Sequence, residues 1–258
     1  MEHHSNHDGH DDSRNSTRGM DAVGHAVPAG LSLAANGLRL VPSETRFDPG
    51  ERTNWSFRIV EDGSVVTDFE TAHGQRAHLI VVRRDLTRFQ HRHPELDSDG
   101  TWRLERLAFP DPGVYRAFVD VVVDGRATTL GYDLFASGVD DVEPRPGSSR
   151  RGAADGYEVE LLADGVEAGE NTELAFEVLT EDGAVARLDR YLGALGHLVA
   201  LREGDLAYLH VHPEETAAES GRAAFRVRFP TPGRYRLFLQ TKPAGTLITT
   251  RFDVRVEA

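Results

Sequence analysis

A chain of 258 residues with 39% hydrophobic content is long enough for one or two domains with a true apolar core. It carries 12 histidines and no cysteine, which excludes disulfide frameworks, thiolate zinc sites, iron–sulfur clusters and cysteine nucleophiles together. The net charge of -13, from 29 basic against 42 acidic residues, argues against a nucleic-acid partner, and no run approaches the ~18 apolar residues of a membrane helix.

Residues 1–30 are poor in large apolar side chains and predict a disordered tail, because no burial offsets the entropy of ordering them. His3, His4, His7 and His10 are interleaved with Asp8, Asp11 and Asp12. That tract reads either as a flexible collector of borderline metal ions or as a plain solvated tail. The opening MEHHSNHDGH has neither a basic region nor an apolar stretch of the kind a secretory signal needs. Met20 offers an alternative start, and a leader upstream offers another.

The next segments in chain order are WSFRIV, HLIVVR, RFQHRH, YRAFVDVVV and LGYDLF. They are short, β-branched and aromatic, with turn signals at Glu61-Asp62-Gly63 and Asp124-Gly125. They predict the strands of a first sandwich over 31–137. Residues 138–155 are rich in Pro, Gly, Ser and charge and predict a linker. Residues 156–258 then repeat the first unit. His78, His91 and His93 recur as His197, His210 and His212 (197 − 78 = 119), and FPDPGVYRAFVD recurs as FPTPGRYRLFLQ.

The fold class expected is all-β: two tandem immunoglobulin-like antiparallel β-sandwich domains after a disordered N-terminal tail. Only Leu188–Leu195 has a spacing compatible with a helical turn. The Pro-Gly-x-Tyr motifs ending in Tyr115 and Tyr235 supply a turn glycine and a tyrosine whose hydroxyl can bond back across the corner.

The repeated histidines sit on a predicted hairpin. Opposing residue 78 with residue 91 or with residue 93 centres its turn on Arg84–Leu86. His91 and His93 are two apart and share a face, and His78 lies opposite or diagonal to them. His78 shares its side with Ile80 and Val82, and His197 shares its side with Val199 and Leu201. The triads therefore lie on an apolar face, near its open end, where burial favours the neutral imidazole that binds metal. Three imidazoles with an open fourth position suit Zn(II) or Cu(II), whereas Cu(I) prefers the softer sulfur ligands lacking here. His73 and Asp120 are candidate additional ligands or outer partners; Leu192 and Gln240 replace them in the second unit, so the two sites need not be equivalent. Pro94 and Pro213, each after a His-x-His pair, predict strand ends. The bland alternative is a hydrogen-bonded structural triad, since duplication copies structural residues too.

At HLIVVRRDLTRFQHRHPE with FPDPGVYRAFVD, and GHLVALREGDLAYLHVHPEE with FPTPGRYRLFLQ, the chain resembles a group of two-repeat, mostly actinobacterial, secreted or membrane-anchored proteins of uncharacterised function. Each repeat is more loosely similar to FixH/YtkA-like sandwiches and to copper carriers of the CopC type. The resemblance implies sandwich domains, an extracytoplasmic setting and a link with heavy-metal handling. Gln240 stands where such a repeat often has Asp, which weakens a carboxylate role in the second site.

The expected function is a non-enzymatic metal carrier or sensor with one three-histidine site per repeat. Its ion would pass to or from a metal transporter or an envelope protein. The alternative is an extracytoplasmic protein-interaction module with structural histidines. No nucleophile elbow, phosphate loop or dinucleotide fingerprint appears, so an enzyme is not expected.

Overall fold

Alternating β-branched and aromatic residues, broken by glycine turns, leave this chain little choice but strands. The computed structural model describes residues 28–142, 147–163, 165–209 and 211–258. The expected fold class holds: each repeat is an antiparallel sandwich. The His/Asp tract lies outside the described residues.

The first repeat has seven main strands: β1 (Leu38–Pro42), β2 (Arg52–Glu61), β3 (Ala77–Arg83), β4 (Gln90–Arg92), β5 (Thr101–Ala108), β6 (Gly113–Val123) and β7 (Arg126–Ala136). One sheet orders them β1-β2-β5, with Glu95–Leu96 along the β5 edge; the other orders them β7-β6-β3-β4. The second repeat follows the same plan with β8 (Tyr157–Leu162), β9 (Asn171–Thr180), β10 (Gly196–Arg202), β11 (Tyr208–Leu209), β12 (Arg222–Arg228), β13 (Gly233–Pro243) and β14 (Ile248–Val256). Its sheets run β8-β9-β12 and β14-β13-β10-β11.

Three details depart from expectation. Arg151–Ala154 pairs with β8, so strand begins inside the stretch read as linker. Leu188–Asp189 is a strand and Tyr191–Ala194 a tight reversal; the single helical element among the described residues is the short 3-10 turn Ala218–Ser220. Pro213 lies within the edge strand His212–Glu214 rather than after a strand; an edge tolerates its missing N–H. The tyrosine corners form as expected. Tyr115 Oη donates to Asp111 O at 2.9 Å, and Tyr235 Oη donates to Thr231 O at 3.0 Å.

Each sandwich has its own core, built around Trp55, Phe57 and Trp102 in the first and Phe176, Phe225 and Phe252 in the second. A third apolar cluster joins the repeats: Ile80, Val82 and Phe118 from one, Val199, Leu201, Tyr208 and Phe238 from the other. Phe89 stacks on Phe238 at 4.2 Å, and the equivalent residues with the repeats exchanged, Tyr208 and Phe118, meet at 5.4 Å. Sheet β7-β6-β3-β4 thus packs outward against sheet β14-β13-β10-β11. All seven residues of β3 are buried, because both of its faces are covered.

Residues 29–32 are held between the repeats, so Ala29 and Gly30, at the end of the stretch read as a disordered tail, are placed by hydrogen bonds. Tyr208 N donates to Ala29 O, Arg116 donates to Gly30 O, and Gly131 N donates to Ser32 O. Gly131 is required here: a Cβ on it would lie 1.9 Å from Gly30 O.

Candidate metal centre

β3 opens on His78 and β4 carries His91. His93 follows β4 directly, and Pro94 then ends pairing as the chain crosses to the opposite sheet. The hairpin pairs Leu79 with Arg92 and Ile80 with His91, which sets residue 93 opposite residue 78. The second repeat has the same register, Ala200 with Leu209. This is one of the two registers the spacing allows.

The three side chains converge. One ring nitrogen from each of His78, His91 and His93 falls within a set whose members all lie within 4.8 Å of one another. His78 Nδ1 and His91 Nε2 are 3.0 Å apart, close to the roughly 3.3 Å separation of two nitrogens on one tetrahedral ion with bonds of ~2.0–2.1 Å.

The outer contacts determine which nitrogens carry protons. His78 Nε2 faces Ala72 O at 3.1 Å, and a carbonyl can only accept, so this nitrogen is the N–H. His91 Nδ1 faces Gln240 Oε1 at 2.6 Å, while the Gln240 amide nitrogen is directed at Thr249 Oγ1 at 3.3 Å. His91 Nδ1 is therefore the donor. When both rings are neutral, these anchors turn the lone pairs of His78 Nδ1 and His91 Nε2 toward each other, an arrangement that a cation between them relieves. The third ring agrees: His93 Nε2 is buried with no hydrogen-bond partner. Imidazoles bound outward to a carbonyl or an amide, with the other nitrogen turned inward, have the form of metal ligands with outer partners.

Electrostatics keep His91 and His93 neutral. Burial, chiefly, lowers the His91 pKa from 6.5 to about 3; the Gln240 hydrogen bond opposes this, and repulsion from His93 and His78 adds to it. The His93 pKa falls to about 4, first through burial and then through His78 and Arg92.

A second site was expected at His197, His210 and His212, and of these three side chains only that of His197 is among the described residues. His197, opposite Gln240 on β13, lies against the first group: its ring stacks on His91 at 4.4 Å and on His78 at 5.5 Å. The reason is the face. β3 and β10 both turn their histidine-bearing side outward from their own sandwich core, toward the other repeat. His210 lies outside the described residues, as does the side chain of His212, whose backbone pairs with Arg226.

His73 and Asp120 are not part of the convergent set. They line, with His78 and His197, an adjoining cavity of about 10 Å³, room for roughly one water. Asp120, opposite His78 in register, accepts from the Thr129 hydroxyl at 3.0 Å. A surface groove of about 410 Å³ reaches His93, lined by both signs of charge, Glu95, Asp97 and Glu105 with Arg92 and Arg103.

Gln240 is the residue that sequence reasoning undervalued. Its only signal was negative, an amide where a carboxylate was expected. Its contact to His91 crosses between the repeats, which no local spacing reports.

A family model described as "Domain of unknown function (DUF8832)" matches residues 34–138 and again 152–258, so the chain belongs to that family. No curated protein matches it. Among solved structures it is similar to InvD of Yersinia pseudotuberculosis (12% identity, TM-score 0.29, covering 87% of this chain and 58% of that one). It is also similar to the Escherichia coli adhesin FdeC (13%, 0.27, 88% and 66%) and to E. coli alpha-2-macroglobulin (13%, 0.29, 90% and 15%). The chain spans less than two thirds of the length of each. No helix among the described residues is long and apolar enough to cross a membrane.

Proposed function

We propose that this member of the DUF8832 family is a non-enzymatic metal-binding protein that holds one Zn(II) or Cu(II) ion through His78, His91 and His93. The observation that carries the reading is the convergence of three imidazole nitrogens within 4.8 Å, with His93 Nε2 buried and unpartnered. Three neutral nitrogen donors match the preference of both ions, and a three-ligand set leaves a position for exchange, as a carrier or sensor needs. Donor and acceptor of the ion, a transporter or envelope protein, and an extracytoplasmic setting belong to the same proposal. Both rest on the family resemblance.

Calorimetry with Zn(II) and Cu(II) on protein purified without an affinity tag tests it, beside elemental analysis. One tight equivalent is expected, and a variant with His78, His91 and His93 all changed to alanine should lose it. If that variant binds as tightly as the parent, ions are held elsewhere and the reading fails. A second reading, a protein-interaction module, is favoured by one observation: the histidines sit within the contact between the repeats. It predicts that the same variant loses stability while the parent binds no ion.

A further inference from the structure

The nitrogens of the centre come from the first repeat, but a group that fixes one of them comes from the second. Gln240 is 5% exposed on β13, and its oxygen accepts from His91 Nδ1 at 2.6 Å. We propose that Gln240 is the cross-repeat positioning residue of the metal centre, so that ion binding and docking of the two repeats strengthen each other; this rests on the metal-binding reading above.

Three observations carry it. First, the bond selects the proton position. With Gln240 removed, His91 is free to move its proton to Nε2 and donate to His78 Nδ1, which closes off both nitrogens at once. Second, the contact is continuous with the apolar seam. Phe89, just before β4, stacks on Phe238 two residues before His91 meets Gln240, so this arm of the hairpin and β13 meet at two successive outward positions and separate together. Third, His197 lies flat on His91 and limits rotation of its ring, a constraint that also exists only when the repeats are docked.

The duplicate position carries a carboxylate in place of the amide. Asp120 has the same register as Gln240 and the same threonine neighbour, Thr129 in place of Thr249. A carboxylate there would be another anchored acceptor. The amide can turn an oxygen to His91 and a nitrogen to Thr249, as the carboxylate cannot. Linkage then requires reciprocity: if docking raises ion affinity by some factor, the ion stabilises docking by that same factor.

The test uses the full chain, with zinc affinity measured by chelator competition and seam protection by hydrogen exchange at Leu86–Phe89 and Tyr208. Gln240→Leu, which keeps the bulk and removes the acceptor, is expected to weaken zinc binding ~10–100-fold, the usual effect of losing an outer partner. Gln240→Glu, which restores an acceptor, should recover most of that loss. Zinc should slow exchange at the seam in the parent and less in Gln240→Leu. Parent-like zinc affinity in Gln240→Leu overturns this inference and leaves the metal-binding reading standing. A parent chain that binds no zinc or copper overturns both.

Discussion

The two faces of β3 are equally buried and serve different ends. Leu79 and Val81 point into the sandwich, among the aromatic side chains of the first repeat's own core. His78, Ile80 and Val82 point the other way, and their cover is the second repeat. β10 divides likewise, with Leu198 and Ala200 inward and His197, Val199 and Leu201 outward. The inward face is a matter of folding one unit; the outward face is a matter of holding two units together. Histidine appears only on the outward face, at the end of the seam where a surface groove reaches His93. On the proposed metal-binding reading, donors placed there join the chemistry of the centre to docking rather than to folding.

Aspartate substitutions should separate the two faces most sharply. Val81→Asp buries an unpaired carboxylate in the first core, at a cost of several kcal/mol against a total stability of about 5–15. Loss of the first repeat's cooperative melting transition is expected by circular dichroism. Ile80→Asp, one residue away, should leave both transitions and separate the repeats, read as a larger radius of gyration in X-ray scattering. If Ile80→Asp unfolds the protein as Val81→Asp does, the distinction between the faces is wrong.

Ligand substitutions come next in size. His93→Ala removes a proposed donor and should weaken ion binding more than the ~10–100-fold typical of an outer partner. His197→Ala removes a ring that packs on the centre and should cost less than tenfold in the same titration. A reversed order would place the ion between the repeats rather than in the first.

Acid should act next. In the unfolded chain His91 and His93 take up protons near pH 6.5, whereas folded they resist until about pH 3 and about pH 4. The unfolded state therefore binds more protons throughout that window, and stability must fall as pH drops from 6.5. The slope is up to ~1.4 kcal/mol per pH unit for His91 and less for the more exposed His93. Melting temperatures between pH 7 and pH 4 measure it, and the alanine variants of both should flatten the curve. Asp120→Asn should do least, shifting ion affinity by no more than a few-fold, because Asp120 is outside the convergent set and an amide oxygen can still accept from Thr129.

Much of this was legible in the sequence. Spacing and turn signals gave the strands, the repeat, the hairpin at His78 to within two registers, and the tyrosine corners. The linker's end was missed because Arg151–Ala154 has linker composition and becomes strand only by pairing with β8. The larger omission was which partner covers the histidine face. Period two separates apolar from polar sides, but HLIVVR is apolar on both, so alternation could not say which side met its own sandwich and which met a neighbour. That unbroken run was itself the unread signal, since a strand apolar on both faces needs two covers. The meeting of His197 with His78 and His91, and the reach of Gln240, follow from that second cover alone.

The exchanged contacts Phe89–Phe238 and Tyr208–Phe118 have the form of an isologous interface, in which one patch meets its own copy about a two-fold axis. Here the two copies share one covalent chain. A tether holds the partner at an effective concentration that dilution cannot lower, so the seam needs far less intrinsic affinity than a free dimer. It also lifts a restriction of symmetry. In a homodimer any substitution near the axis appears twice; in this chain residue 120 stays Asp while residue 240 is Gln, and residue 73 is His while residue 192 is Leu. In the proposed metal centre, fusion lets one half supply the donors and the other hold them.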